Sequence, residues 1–264
     1  MSQDALKNAC AELSRIVGAT ALQYFRGDVE IEIKGDGSPV TIADRAAEQA
    51  AREWLAREFP ADGVLGEEFG DIRPEAKRRW IIDPIDGTKS FVRGVPLWGS
   101  LVAVTEGRTV LAGSAFFPAV AEHLAAGIGS GCWWNGKRCS VSPTAELAKA
   151  TVLTTDAGFR GDSNRLRGWG DLASKAAVAR TWGDCYGYLL VATGRAEAML
   201  DDQMNPWDAA ALLPIITEAG GVFTDWTGKA TAFGKDAVAT NAALDKEVRS
   251  ALRIARSSGE PGNV

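Results

Sequence analysis

Two aspartates stand three residues apart where an apolar run ends, at Asp83 and Asp86 in the stretch Trp-Ile-Ile-Asp-Pro-Ile-Asp-Gly-Thr. The unbroken apolar residues before Asp83 predict a strand that is buried on both faces. Pro84 stiffens the turn, so both carboxylates can point the same way, and hard cations such as Mg²⁺ require such oxygen clusters. Gly87 and Thr88 add N–H groups and a hydroxyl, at the start of a helical turn where a phosphate could bind. The alternative is an ordinary polar turn, because Asp-Pro and Asp-Gly pairs are common in turns.

Further carboxylates occur at the ends of other predicted elements. Glu67 follows a short apolar piece in a loop between glycines, and Asp208 lies in the first turn of a helix that begins at Asn205. Asp44 lies in the first turn of another helix, where the helix dipole alone favours a carboxylate. Loop acids such as Glu67 are usually just solvated.

Together, four of these acids come from three separate segments: Glu67, Asp83, Asp86 and Asp208. Ligands that converge from the ends of elements are how rigid scaffolds build sites. A pair of Mg²⁺ ions held by these carboxylates would polarise a phosphate and lower the pKa of a bound water. Thr88 and Glu67 could orient that water for in-line attack. The pattern predicts direct metal-assisted hydrolysis without a phosphoenzyme.

The composition excludes several other classes of function. The chain of 264 residues has a net charge of −5 and no basic stripe, so nucleic-acid binding is not expected. It lacks an apolar signal segment, and its apolar runs fall short of the roughly 20 residues of a membrane span. Four cysteines without a C-x-x-C pair indicate free thiols in a reducing cytoplasm. The single histidine, His123, cannot supply a two-histidine zinc site.

The remaining pattern divides the chain into two halves, 1–142 and 143–264, which can also count as one domain. The first half is rich in antiparallel strands, including a type I′ hairpin at Asn135-Gly136, whereas the second half alternates strands and helices. Predicted helices cover residues 4–25, 42–59, 163–175, 184–193 and 205–219, and predicted strands include 29–33, 80–82, 98–105, 109–117, 151–155, 177–180, 196–200, 222–225 and 237–240. Residues 34–39 form a glycine-rich loop, and the polar tail 257–264 is expected to fray. Pro214 lies inside the helix that starts at Asn205 and should kink it.

Three stretches resemble the signature motifs of the inositol monophosphatase family. They are Gly66-Glu67-Glu68, the run Trp80–Thr88, and Pro206-Trp207-Asp208-Ala209-Ala210 leading to Glu218-Ala219-Gly220-Gly221. The resemblance covers nearly the whole chain in the right order. It implies an α/β (α+β) fold, specifically the layered αβαβα sandwich of inositol monophosphatases and sugar phosphatases. It also implies a cytoplasmic, lithium-sensitive phosphomonoesterase that uses two or three Mg²⁺ ions and forms a homodimer.

The resemblance also implies roles for individual residues. The metal ligands would be Glu67, Asp83, the Ile85 carbonyl, Asp86 and Asp208. Thr88, with Glu67, would activate water, and Asp44 would support Thr88. Gly87 and Thr88 would bind the phosphate.

Two departures from the inositol phosphatase pattern resemble the histidinol-phosphate phosphatase branch of the family. Lys89-Ser90 follows Gly87-Thr88, and Asp184 stands at a helix start where a small Ser is usual. Histidinol phosphate carries a cationic amine and an imidazole, and Asp184 would supply a counter-charge for such a cation. Asp184 could instead cap its helix, which is worth about 1 kcal/mol. Substrate contacts are therefore expected from Asp184, Asp208, Arg180 and Lys89.

These features predict hydrolysis of L-histidinol phosphate to L-histidinol and phosphate, in histidine biosynthesis. One alternative is an inositol-1-monophosphatase, or a sugar or nucleotide phosphatase of broad specificity and the same fold. A more remote alternative is a non-catalytic, metal-binding regulator. The intact set of acids together with Thr88 argues against that regulator, because a protein that only binds need not keep a water-activating threonine.

Overall fold

A computed structural model of the chain describes residues 1–27, 30–33, 35 and 39–253. Its α-helices are α1 (Gln3–Leu22), α2 (Ile42–Glu58), α3 (Thr88–Phe91), α4 (Ser163–Lys175), α5 (Asp184–Ala192), α6 (Pro206–Ala209), α7 (Leu212–Glu218) and α8 (Asp245–Ala251). Val29 of the first predicted strand, most of the glycine-rich loop and the polar tail 257–264 lie outside the described residues. None of the helices in the described ranges is both long and apolar enough to cross a bilayer.

Most of the strands belong to two large sheets. The strands are β1 (Ile31–Ile33), β2 (Pro39–Thr41), β3 (Gly63–Gly66), β4 (Gly70–Ile72), β5 (Arg78–Asp86), β6 (Gly99–Glu106), β7 (Thr109–Phe117), β8 (Glu122–Gly127), β9 (Gly131–Trp134), β10 (Lys137–Arg138), β11 (Thr151–Thr154), β12 (Val178–Arg180), β13 (Ala198–Asp201), β14 (Val222–Thr224) and β15 (Ala237–Thr240). The first sheet has eight strands in the order β10-β9-β8-β7-β6-β5-β3-β4, and the second has five in the order β12-β11-β13-β15-β14. Pairing in the first sheet is antiparallel except between β3 and β5, whereas β12, β11 and β13 are parallel.

The two sheets and the helices form five layers. Alternate residues of β5 face opposite sides: Trp80 and Ile82 pack with α1 and α2, whereas Ile81 packs with α5 and α7. The second sheet covers the other side of α5 and α7, and its outer face packs against α4 and α8. The predicted αβαβα sandwich is therefore confirmed, and β5 is apolar without alternation because both of its faces are buried. The two sheets lie on either side of the predicted boundary at residue 142, although the division into halves remains a prediction.

Local sequence signals account for several element ends. Thr41 caps α2 in a capping box with Asp44, as its position before the helix predicts. Asn135 and Gly136 both have positive φ, at 47° and 78°, as the predicted type I′ hairpin requires. His123 is buried and its Nε2 lies 2.8 Å from Ser114 Oγ, so the single histidine is a structural residue of the core.

The predicted kink at Pro214 is an interruption of the helical hydrogen-bond ladder between α6 and α7 at Ala210 and Ala211, both of which keep right-handed helical φ and ψ. Pro214 has no N–H to donate to the Ala210 carbonyl, and its ring crowds that carbonyl. The interrupted turn lies directly against β7 at Gly113, where a Cβ would overlap the backbone of Ala211. A residue without a side chain is needed at this crossing because the opposing atoms belong to the main chain.

Gly113→Ala should therefore lower the free energy of unfolding by about 1–3 kcal/mol, as overpacked sites do. Gly170→Ala is a matched control, because a Cβ on Gly170 in α4 meets nothing within 4 Å. It should raise stability by about 0.5–1 kcal/mol through helix propensity. Urea unfolding measures both values, and equal effects of the two substitutions would contradict the close approach.

Candidate active site

The aspartates of β5 face one cleft because the strand contains a bulge. Asp83 pairs with Leu101 and Asp86 with Gly99, so β5 uses one more residue than β6 over this interval. Residues three apart in a regular strand point to opposite faces, and one extra residue brings them to the same face. Pro84, which cannot donate to the ladder, lies inside the irregular segment.

A tight turn follows β5 and lines the same cleft. Gly87 has a φ of 87°, in the left-handed region that favours glycine, and α3 begins directly after it. The Thr88 hydroxyl donates to the Ile85 carbonyl at 2.8 Å. A carbonyl oxygen has two lone pairs, so the Ile85 carbonyl can accept this bond and still bind a cation. Gly87 and Thr88 both line the cleft, as the phosphate-binding prediction requires.

Asp208 reaches the β5 aspartates from the distant helix α6. Its Oδ2 accepts the N–H of Asn205 at 2.7 Å in a capping box, which fixes the carboxylate in the first helical turn. Ligand atoms of Asp83, Asp86 and Asp208 all lie within 4.8 Å of one another. Two of the three segments that were predicted to converge therefore meet here: β5 through Asp83 and Asp86, and α6 through Asp208.

The third segment brings Glu67 to the cleft from the loop after β3. Glu67 lines the cleft, and its N–H donates to the Ile82 carbonyl at 3.3 Å. It lies outside the group of three close carboxylates, but its charge helps to raise the pKa of Asp83 and Asp208. The charges of the four predicted carboxylate ligands therefore interact with one another within the cleft.

Burial and mutual repulsion raise the free energy of the ionised carboxylates. Burial, followed by the charges of Glu67, Asp86 and Asp208, raises the pKa of Asp83 well above its usual range. Burial also raises the pKa of Asp86 well above its usual range and that of Asp208 to about 6. A cation in their midst would reverse this repulsion. The donor set contains carboxylate and carbonyl oxygens, which suit a hard ion such as Mg²⁺.

Asp44 lies behind this group on α2. Its Oδ2 accepts the Thr41 N–H and hydroxyl, both at 2.8 Å, whereas its Oδ1 is buried without a hydrogen-bond partner. Burial raises the pKa of Asp44 to about 6. The Thr88 hydroxyl donates to the Ile85 carbonyl rather than to Asp44. Support of Thr88 by Asp44 therefore remains a prediction of the family resemblance.

Asp184 borders the turn that contains Gly87. Its Oδ2 is 3.3 Å from the place where a Cβ on Gly87 would lie, and its own N–H donates to Thr155 Oγ1 at 2.8 Å. The N-cap of α5 is Gly183, and the first two N–H groups of the helix donate to Thr155 and Asp86. None of the described hydrogen bonds is accepted by the Asp184 carboxylate, so the alternative that Asp184 caps the helix is wrong. Gly183 leaves room for Thr155, which a Cβ there would overlap. Burial raises the pKa of Asp184 to about 6, and the Lys89 charge opposes that rise.

The two predicted basic contacts differ in position. Lys89 lines the cleft, whereas Arg180 is exposed, is absent from the cleft lining, and donates to the carbonyl of its neighbour Ala179. Arg160 lines the cleft instead. Sequence reasoning missed Arg160 because it belongs to a short irregular turn with a φ of 47°, which no periodicity marks.

Asp201 is a second cleft residue that the sequence did not single out. It ends β13, it accepts the Tyr188 hydroxyl at 2.9 Å, and burial raises its pKa to about 8. Its position at the end of an apolar strand resembles that of Asp83, which is the signal that could have found it. Among the described residues that line the cleft, acids outnumber bases by seven to two: Glu67, Asp83, Asp86, Asp156, Asp184, Asp201 and Asp208 against Lys89 and Arg160.

The cleft has a volume of about 560 Å³, which suits a small molecule. Its lining comes from both sheets, since β5 supplies Asp83 and β13 supplies Asp201. An acidic cleft of this size requires cations, a cationic ligand or both before an anionic group can enter.

Comparisons with known proteins give consistent results. The model of the inositol monophosphatase family matches residues 2–257. The histidinol-phosphatase of Chlorobaculum parvum is 41% identical over 91% of this chain and 94% of its own. That of Mycobacterium tuberculosis is 40% identical over 96% and 99% of the two chains. The crystal structure of the extragenic suppressor protein SuhB from Bartonella henselae superposes with a TM-score of 0.89 at 28% identity, over 94% of this chain and 98% of that one.

Asp83→Asn should raise the free energy of unfolding of the metal-free protein by about 1–2 kcal/mol, which is a common gain when a strained site is relieved. The amide keeps the oxygen that accepts the Ile85 N–H at 3.0 Å, and it removes one repelling charge. The same substitution should abolish the rise in melting temperature caused by MgCl₂. Thermal unfolding in EDTA and in MgCl₂ measures both effects. A variant less stable than the parent in EDTA would contradict the repulsion.

The stability of the metal-free protein should fall as pH rises from about 4 to 8, most steeply below about 6. Asp44, Asp184, Asp208 and Asp201 have folded-state pKa values raised to about 6, 6, 6 and 8. The folded state therefore holds protons that the unfolded chain has released above pH 4, and this advantage is lost as pH passes the folded values. Melting temperatures in EDTA should decline across this window, and MgCl₂ should flatten the decline. Parallel curves with and without Mg²⁺ would contradict the assignment.

Proposed function

The chain belongs to the inositol monophosphatase family and is a phosphoric monoester hydrolase, and we propose that its substrate is L-histidinol phosphate. Hydrolysis would release L-histidinol and phosphate, a step of histidine biosynthesis. Two relatives that are 41% and 40% identical, over more than nine-tenths of both chains, carry the name histidinol-phosphatase. Their similarity supports the same substrate here.

The observation that carries the proposal is the place of Asp184 beside Gly87. A phosphate bound at the Gly87-Thr88 turn would have this carboxylate close to its alcohol portion. Inositol offers only hydroxyls there, whereas histidinol offers a protonated amine that a buried carboxylate can pair with. The excess of acids in the cleft, with Asp201 among them, favours a cationic alcohol over a neutral one.

The metal ions would be two or three Mg²⁺, held by Glu67, Asp83, Asp86, Asp208 and the Ile85 carbonyl. When bound, such ions neutralise the phosphate charge and lower the pKa of a coordinated water. The residues of the protein would orient the attacking water. Because the Thr88 hydroxyl donates its proton to Ile85, its oxygen remains free to accept a hydrogen bond from the attacking water.

That water would attack phosphorus opposite to the ester oxygen. The P–O bond to histidinol would then break, its electron pair would go to the histidinol oxygen, which would take a proton from solvent water, and inorganic phosphate would remain. Glu67 lines the same cleft as Thr88 and would accept the proton that the attacking water loses. No side chain of the protein is phosphorylated in this scheme.

Further parts of the proposal concern the state of the protein in the cell. We infer a homodimer in the cytoplasm from the family resemblance, and the four cysteines, all free, suit a reducing compartment. Light scattering coupled to size-exclusion chromatography would measure a mass of twice 28.0 kDa for the dimer.

Purified protein should hydrolyse histidinol phosphate with a higher kcat/KM than inositol 1-phosphate or 3′-phosphoadenosine 5′-phosphate. Steady-state phosphate release in MgCl₂ measures all three. Equal or better turnover of inositol 1-phosphate would overturn the substrate assignment, and full turnover in EDTA would overturn the metal mechanism. Growth of a strain that lacks histidinol-phosphatase, after introduction of this chain, would support the assignment in vivo.

Asp184→Asn should lower kcat/KM for histidinol phosphate by about 10–100-fold, because the amide cannot pair with the amine. The value for inositol 1-phosphate should change by at most about threefold, since that substrate carries no cation. Asp171→Asn, which removes the same charge from exposed α4, is the matched control and should leave both values unchanged. Equal losses for both substrates with Asp184→Asn would show that the residue serves the metal site instead.

A further inference from the structure

The buried glutamate of α2, Glu48, holds the loop that carries Glu67. Glu48 has no exposed surface, yet its carboxylate lies directly beneath the backbone between β3 and β4. Its Oε2 accepts the N–H of Glu68 at 2.7 Å, and its Oε1 accepts the N–H of Phe69 at 3.2 Å. The two amides that follow Glu67 are therefore both fixed by one side chain.

Arg52 completes this arrangement one helical turn later. Its Nε donates to Glu48 Oε1 at 2.8 Å, and its terminal nitrogen donates to the Gly70 carbonyl at 2.6 Å. Arg52 balances the charge of Glu48, so the buried carboxylate is compensated by an ion pair as well as by two amides. The guanidinium also lies 5.7 Å from the centre of the Phe69 ring. The far end of the loop is thus tied to the same helix.

Gly66 makes room for this contact. A Cβ on Gly66 would overlap the Glu48 carboxylate, so the glycine before Glu67 is required by the buried acid. The Gly-Glu-Glu stretch therefore has a physical partner on α2, four residues after Asp44, on the same helix face.

We propose that Glu48 is a positioning residue, which sets the conformation of residues 66–70 and thereby places the Glu67 carboxylate for metal binding. Glu48 does not line the cleft, and both of its oxygens accept hydrogen bonds from Arg52 or the loop amides, so it takes no direct part in the reaction. Residues that orient metal ligands typically change metal affinity or activity by 10–100-fold when replaced. This inference rests on the proposed metal site, but not on the identity of the substrate.

The variant Glu48→Gln tests the proposal. The amide keeps the length of the side chain, but its NH₂ group must face either a loop N–H or the Arg52 guanidinium, which are all donors. Glu53→Gln is the matched control, since Glu53 is exposed on the same helix and accepts only from Gln49 in the bonds described. Arg52→Lys is a second variant that leaves Glu48 intact and removes the tie to Gly70.

The first measurement is the rise in melting temperature with MgCl₂ alone, without substrate. Glu48→Gln should need at least about tenfold more Mg²⁺ for the half-maximal rise, Arg52→Lys a smaller increase, and Glu53→Gln none. A lower melting temperature in EDTA with an unchanged Mg²⁺ midpoint would mean a purely structural role and would overturn the proposal. If Glu48→Gln does not fold, the Mg²⁺ midpoint of Arg52→Lys decides: an increase supports the proposal, and an unchanged midpoint overturns it.

The second measurement separates this inference from the proposed function. At saturating Mg²⁺, kcat/KM for whichever phosphomonoester the parent hydrolyses should return to within about threefold, because excess metal overcomes weak binding. A parent protein that binds Mg²⁺ but does not hydrolyse histidinol phosphate would refute the substrate and leave the Glu48 result valid. A large loss that persists at saturating Mg²⁺ with a normal Mg²⁺ midpoint would contradict positioning of a metal ligand.

Discussion

Repulsion between buried carboxylates is the constraint on which this structure depends. Asp83, Asp86 and Asp208 have oxygen atoms within 4.8 Å of one another, in surroundings that raise the pKa of each. Such a cluster opposes folding, so the surrounding structure must hold it together by other means. The sheet ladder of β5 fixes two of the acids through their backbone, and backbone N–H groups donate to all three carboxylates: Ile85 to Asp83, Cys185 to Asp86 and Asn205 to Asp208.

The two sheets contribute differently to the cleft that results. The first sheet supplies three of the four acids proposed to bind cations, on β5 and on the loop after β3. The second sheet and the start of α5 supply Asp201 and Asp184, which line the same cleft. Asp208, at the start of α6, follows β13 of the second sheet in sequence and lies close to the acids of β5. Under the proposed function, the first group would serve hydrolysis and the second would lie near the alcohol part of the substrate.

Local features were predictable because they are encoded over a few residues. The capping box at Thr41, the Asn135-Gly136 hairpin and the helix interruption caused by Pro214 each follow from one turn of chain. The Asp83-to-Thr88 run could be singled out because two acids follow a buried strand, although an ordinary polar turn was an equal alternative for this run alone. Its meaning still depended on Asp208, which is distant in sequence.

Contacts between distant segments could not be read from the sequence in the same way. Glu48 looked like one polar residue among several on α2, and only the approach of the loop at Gly66 reveals its function. The presence of Arg160 in the cleft depends on which way an irregular turn runs, and the position of Arg180 depends on where strand β12 lies in the second sheet. Strand order, including the parallel pairing of β3 with β5, is likewise set by how the layers pack.

The bulge in β5 has a consequence for the number of residues between the two aspartates. The single extra residue between Asp83 and Asp86 is what turns both side chains toward the cleft. Deletion of one residue there would leave all the acids in the sequence, and would turn Asp86 into the opposite layer of the sandwich. The site therefore depends on the length of this segment as much as on its charges.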